Sequence, residues 1–252
     1  MTSLVLSQPM LFPWLGMFEQ VKLADVFVFH DDIQLPRSHG KGKSFQTRVQ
    51  IKTQGGWEWL TLPIDRRTPL DMLIKDARFP DQGWRKQHLT AIRNAYRGAP
   101  YFQTVFENLV KPSYEFRTDS VCEFCIEGMT RLFSHLGLGP KIYRTSELEL
   151  PRELVASGRI VEHCKRFGAS DYITGLGALD YIDYDLFDQS GIRIHYMEYA
   201  NKPYPQLHGP FNPYVSALDL LFNVGDDFPT YFASCARYWK ELDVARSSYK
   251  RK

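Results

Sequence analysis

No uninterrupted apolar run in the chain approaches the ~20 residues that a membrane-spanning helix needs, so no membrane span is expected. No basic flank precedes an apolar stretch near the first residue, which argues against a secretory signal. Four cysteines in 252 residues do not make a disulfide framework, and a reducing, cytoplasmic setting is expected. With 31 Lys and Arg against 29 Asp and Glu, the net charge of +2 lacks the footprint of a nucleic-acid binder, and no such partner is expected. Internal repeats and low-complexity tracts are also missing.

What is present is ring-rich. Aromatic residues make up 14% of the chain, which suits a deep pocket or a partner surface as well as it suits an aromatic core. The hydrophobic fraction of 44% and charged fraction of 24% are those of a globular protein with a substantial core.

Residues 4–34 hold two apolar runs on either side of a short proline-containing helical stretch, a strand, turn, helix, strand unit. Next, SFQTRVQIKT alternates strictly, with Phe45, Thr47, Val49 and Ile51 on one face and Gln46, Arg48, Gln50 and Lys52 on the other. A turn at Gln54, Gly55 and Gly56 makes this the first arm of a β-hairpin with one cationic face. The stripe Trp84, His88, Ile92, Tyr96 has helical spacing, repeated by Phe102, Val105, Phe106 and Leu109. Residues 119–136 predict a third helix, capped by Asp119 or Ser120. Strand and helix patterns then alternate through KIYRTSEL, 152–167, SDYITG, 179–189 and IRIHYMEY, the signature of parallel βαβ units. A proline-rich loop leads to a helix at 214–223, where Ser216 and Asp219 have capping-box-like spacing. A closing helix is expected over 226–242. The pattern predicts an α/β fold in a single domain of residues 1–252. Its core is a parallel, doubly wound (Rossmann-like) sheet, with residues 38–140 inserted as a β-hairpin plus a helical subdomain.

In open parallel sheets, ligands bind at the carboxyl ends of strands, which makes Gln8, Asp31, Asp32 and Gln34 the first candidates for chemistry. Period two puts Asp32 with His30 or Gln34 on one face and Asp31 on the other, so one carboxylate of the pair enters the cleft. Asp32 and His30 are the candidate proton-transfer groups, although two adjacent aspartates also form turns. Between Ile33 and Trp57 stand Arg37, Lys41, Lys43, Arg48 and Lys52 with no acidic residue, a field suited to phosphate or carboxylate. Of these, Arg48 and Lys52 on the hairpin are the candidate anion ligands. Pro13 suits a first helical position, which would leave free backbone N–H groups at the mouth. Gly175 ends a strand where a ligand can approach the backbone, with Tyr181 in reach of the same crevice. Tyr204 and Gln206 lie in the loop 201–213, long enough for a lid. Cys122 and Cys125 form a lone CxxC without a second ligand pair, so core packing is expected and no metal site.

Gln8-Pro9, Phe12-Pro13-Trp14-Leu15-Gly16, Ala24-Asp25-Val26-Phe27-Val28, Asp31-Asp32-Ile33-Gln34, Trp59-Leu60-Thr61-Leu62-Pro63, Tyr204-Pro205-Gln206 and Ser216 through Asn223 together resemble the WbqC-like protein family, in order over almost the whole chain. The resemblance implies a bacterial protein tied to surface polysaccharide and O-antigen synthesis. On that basis the expected activity is acyl or aminoacyl transfer to an amino sugar, with an acyl-thioester or nucleotide donor and an anionic nucleotide sugar as partner. It also tips Tyr204, Gln206, Ser216 and Asp219 toward function. Two other readings stay open: an adenylylating enzyme and a non-catalytic binding module. The opening layout is similar to that of nucleotidylyltransferases such as pantothenate synthetase, but Pro13-Trp14-Leu15-Gly16-Met17 lacks the histidines that would hold a triphosphate. The oligomeric state is open between a monomer and a homo-oligomer.

Overall fold

The structure is a computed structural model, and it describes residues 1–35, 45–65, 67, 69, 71–151, 153–199 and 202–242. Arg37, Lys41, Lys43, the expected loop 38–44 and the basic tail lie outside the described residues.

In chain order the regular elements are β1 (Ser3–Ser7), α1 (Leu15–Val21), β2 (Val26–Phe29), β3 (Arg48–Thr53), β4 (Gly56–Thr61), α2 (Trp84–Tyr96), α3 (Phe102–Val105), α4 (Lys111–Glu115), α5 (Val121–His135), β5 (Lys141–Arg144), α6 (Ala156–Arg166), β6 (Asp171–Gly175), α7 (Tyr184–Gln189), β7 (Arg193–Glu198), α8 (Ala217–Val224) and β8 (Cys235–Tyr238). A π-helical turn at Phe106–Val110 joins α3 to α4.

Six strands form one sheet in the order β5-β2-β1-β6-β7-β8, and β3 pairs with β4 in a separate antiparallel ribbon. Every pairing in the large sheet is parallel except β7 with β8. Counted along the chain, its strands run 3-2-1-4-5-6, the order of a Rossmann sheet. The β2 sequence VFVF is buried at all four positions, as a strand covered on both faces must be. Phe27 and Phe29 pack with Phe18, Phe133 and Leu221 on one face, whereas Val26 and Val28 pack with Ile160, Cys164 and Phe187 on the other. Helices α1, α5 and α8 therefore cover one side and α6 and α7 the other.

Local chemistry sets the helix starts. Ser120 caps α5 by accepting from the Glu123 N–H, and Asp183 caps α7 by accepting from Leu186. Two of the expected helices are shorter than their patterns. α6 begins at Ala156, and Leu176–Ala178 is a 3-10 turn, so the helix expected at 179–189 starts only at Tyr184. The closing helix expected over 226–242 is absent: a 3-10 turn containing Pro229 breaks it, and Cys235–Tyr238 pairs antiparallel along β7 as an edge strand. Cys122, Cys125 and Cys164 are buried in the core, and burial pushes the Cys122 and Cys164 thiols up to about 12; Cys235 on β8 is exposed.

The segment between β1 and α1 is held by its far neighbours. Phe12 is buried with a left-handed φ of 33°, a conformation that costs a non-glycine residue energy. Its carbonyl accepts from Ser216 Oγ at 2.7 Å, while Ser216 Oγ accepts from the Leu218 N–H and so caps α8. The expected capping box is only half made, because Asp219 turns inward instead of back to the cap. Ser216→Ala removes both bonds, and we expect a loss of about 1–2 kcal/mol, read as a lower urea midpoint at unchanged m-value.

Candidate functional site

The carboxyl ends of β1 and β6 open on a crevice of about 610 Å³, within the roughly 300–1,000 Å³ of small-molecule pockets. This is the point where the strand order reverses, the place where open α/β sheets bind ligands. Its floor includes Ser7 and Gln8 after β1, His30 after β2, and Thr174 and Gly175 from β6; α6 contributes Arg159 and the 3-10 segment leads to Tyr181 at the rim. Of the expected site residues, the crevice thus gathers Gln8, His30, Gly175 and Tyr181.

Asp31 and Asp32 part company where β2 ends. Asp31 is buried, accepting from the Ser146 N–H at 2.9 Å and Ser146 Oγ at 2.6 Å, and so fixes the turn after β5. Asp32 turns to the crevice wall, where it pairs through Oδ2 with Arg159 Nη2, and its Oδ1 lies 3.9 Å from His30 Nε2. Burial, reinforced by His163 and the Arg159 charge, pushes the His30 pKa down to about 3, so its ring is neutral at ordinary pH. Gln8 accepts through Oε1 from Gln46 Nε2, which ties the crevice floor to the segment preceding β3.

The remaining candidates lie elsewhere. Gln34 is exposed and bridges to Leu73. Arg48 stacks its guanidinium 4.3 Å above the Trp59 ring. Lys52, expected on an open cationic face, is buried: Nζ donates to Gln206 Oε1 at 3.0 Å and to the Gly209 carbonyl at 2.9 Å, so its charge is spent on the loop laid over the hairpin. Burial lowers its pKa, opposed by nearby Asp219. Tyr204 and Tyr96 each donate to the buried Asp219 carboxylate at 2.9 Å, and Asn223 Nδ2 donates to the Asp219 carbonyl. Burial raises the Asp219 pKa against the pull of these bonds. His208 Nε2 meets the Ala95 carbonyl at 2.7 Å, so the expected lid loop is fastened to α2. Nor is the start of α1 open at the mouth. Pro13 precedes the N-cap Trp14 instead of occupying the first turn, the Pro13 carbonyl accepts from the Ala217 N–H, and Trp14 bridges to Ser216.

Sequence reasoning missed Arg159, Gln20 and Thr174. Arg159 sits 127 residues from its partner Asp32, and nothing in the α6 pattern distinguishes it from a solvated arginine. Among the described residues, no three His, Cys, Asp or Glu side chains gather as a metal site, and no helix is long and apolar enough to cross a membrane.

Strand order and crevice together describe an α/β protein with a Rossmann-like, mainly parallel sheet and a crevice at its switch point. The model of the WbqC-like protein family matches residues 8–231, and the chain belongs to that family. A protein of Mycobacterium tuberculosis (strain ATCC 25618 / H37Rv), called uncharacterized protein Rv1507c, is 28% identical over 239 residues, spanning 93% of this chain and 99% of that one. No solved structure matches the chain.

Two predictions follow from these two environments. Lys52→Met leaves its acceptors and the Asp219 charge without a counterpart, and we expect a loss of about 3 kcal/mol in chemical unfolding. His30 binds no proton in the folded state until pH falls to about 3, whereas the unfolded state takes one below 6.5. The unfolded chain therefore binds more protons between those values, and stability falls as pH drops through that window. At pH 5 the cost is about 2 kcal/mol, which His30→Asn should remove from the slope of unfolding free energy against pH.

Proposed function

We propose that this protein transfers an acyl or aminoacyl group to the amine of a nucleotide-activated amino sugar, in surface polysaccharide synthesis. The observation that carries the reading is the switch-point crevice, lined by a neutral histidine and a single cationic side chain that the Asp32 carboxylate holds from behind. Arg159 is the only charged residue among the described residues of the lining, which suits a phosphate-bearing ligand. The glycines after β6 allow close backbone approach, and Tyr181, 63% exposed, offers a ring for stacking a base or sugar.

In this reaction the amine nitrogen attacks the carbonyl carbon of an acyl thioester. The N–C bond forms, the C–S bond breaks, and the amine proton passes through the crevice wall to the departing thiolate. The wall supplies a proton acceptor, and the crevice supplies the positioning that makes the two reactants effectively one. Family membership supports the sugar context, and the cytoplasm, where acyl thioesters and nucleotide sugars are made, is the matching compartment.

The test is to incubate the purified protein with a uridine-diphosphate amino sugar and an acyl-coenzyme A, and to follow the acylated sugar by mass spectrometry. Turnover is expected, with His30→Ala and Asp32→Asn each lowering kcat at least 100-fold. Pyrophosphate release from ATP would favour adenylylation instead. Thermal stabilisation by the nucleotide sugar without product would mark a binding module.

A further inference from the structure

Any such transfer needs one atom to receive the nucleophile's proton, and the crevice wall narrows the choice. His30 Nε2, Asp32 Oδ1 and Arg159 Nε are all shut off from solvent, and none has a hydrogen-bond partner among the described residues. Buried polar atoms left unpaired are rare, and three adjoining ones beside the crevice mark an arrangement poised to close on itself, His30 Nε2 onto Asp32 Oδ1. The three belong to one chain of contacts. Arg159 holds Asp32 by one oxygen, and the other oxygen stands 3.9 Å from the ring of His30. That separation is longer than a hydrogen bond, as such contacts often are before a ligand closes the site.

The His30 ring lines the crevice while its Nε2 is turned inward to Asp32. With Nε2 shut away beside Asp32, Nδ1 is the ring nitrogen left for a ligand. The neighbouring His163 cannot take this role, because Nδ1 donates to the Arg159 carbonyl at 2.7 Å and Nε2 faces Thr145 Oγ1 at 3.3 Å. Instead it braces the α6 turn that carries Arg159, its ring centroid 6.1 Å from that of His30.

We infer that Arg159, Asp32 and His30 form a proton relay, in which Asp32 holds His30 as the Nε2–H tautomer and the Nδ1 lone pair takes the proton of an amine or hydroxyl nucleophile in the crevice. Only the identity of the nucleophile rests on the transfer reaction proposed above. His30 is the catalytic residue; Asp32 and Arg159 are positioning residues. The nucleophile's proton moves to Nδ1, the imidazolium that forms is stabilised through Nε2–H by Asp32, and the same proton returns from Nδ1 to the leaving thiolate. A carboxylate that fixes a histidine tautomer in this way is a recurrent solution to base catalysis. The charged or titratable groups facing the ring are Asp32, Arg159 and His163.

The tautomer can be read without any substrate, by two-bond nitrogen–hydrogen correlation spectra of the ¹⁵N-histidine-labelled full chain. His30 is expected to show a protonated Nε2 and a bare Nδ1. Asp32→Ala should lose that preference, and Arg159→Gln should raise the titration of His30 by about one pH unit or more. A protonated Nδ1 in the wild type overturns the relay, as does an unchanged tautomer in Asp32→Ala together with an unchanged titration in Arg159→Gln. Should Asp32→Ala not fold, Asp32→Ser takes its place in the same spectrum, because the dependence of the tautomer on Asp32 decides. A protonated Nε2 in a protein that acylates no sugar supports the relay and removes the transfer reaction.

Discussion

The constraint on which this molecule turns is that β1 sits inside a parallel sheet, flanked by β2 on one side and β6 on the other. Parallel neighbours need crossovers, and crossovers leading to opposite edges of the sheet diverge from its middle. The crevice is what that divergence leaves open, and it fixes which residues can meet there: those just past β1, β2 and β6, and whatever α6 carries on its first turn.

The family's motif residues serve two different environments. Gln8 lines the crevice, and Asp32 backs it by holding Arg159. Tyr204, Gln206, Ser216, Asp219 and Asn223 instead lock α8, the 204–212 loop and the β3–β4 ribbon together, around one buried carboxylate and one buried ammonium. Both charges are destabilised by burial, and each is tolerated because directed hydrogen bonds surround it. The lock reaches the crevice indirectly. Ser216 holds the strained Phe12, and Phe12 belongs to the connection that leaves the crevice floor at Gln8.

Much of the sheet was legible in the sequence because apolar runs of VFVF or DYITG type, separated by helical spacing, have few other solutions. The edge strand β8 was not: CARY is half exposed, and its pairing with β7 depends on a turn that no local pattern announces. At the site, Gln8, His30 and Gly175 could be read from strand ends alone. Lys52 misled for an instructive reason. Alternation says which face a side chain takes but not what later covers that face, and here the 204–212 loop does. Arg159 was invisible because its meaning lies in a partner 127 residues away in the chain.

Cys235 gives the edge strand a practical use. The three other thiols are enclosed and strongly disfavoured as thiolates, while Cys235 stands exposed beyond β7, on the side of the sheet away from β1. Maleimide chemistry on the native chain would therefore place a single fluorophore or spin probe at a known position, with no residue of the crevice altered.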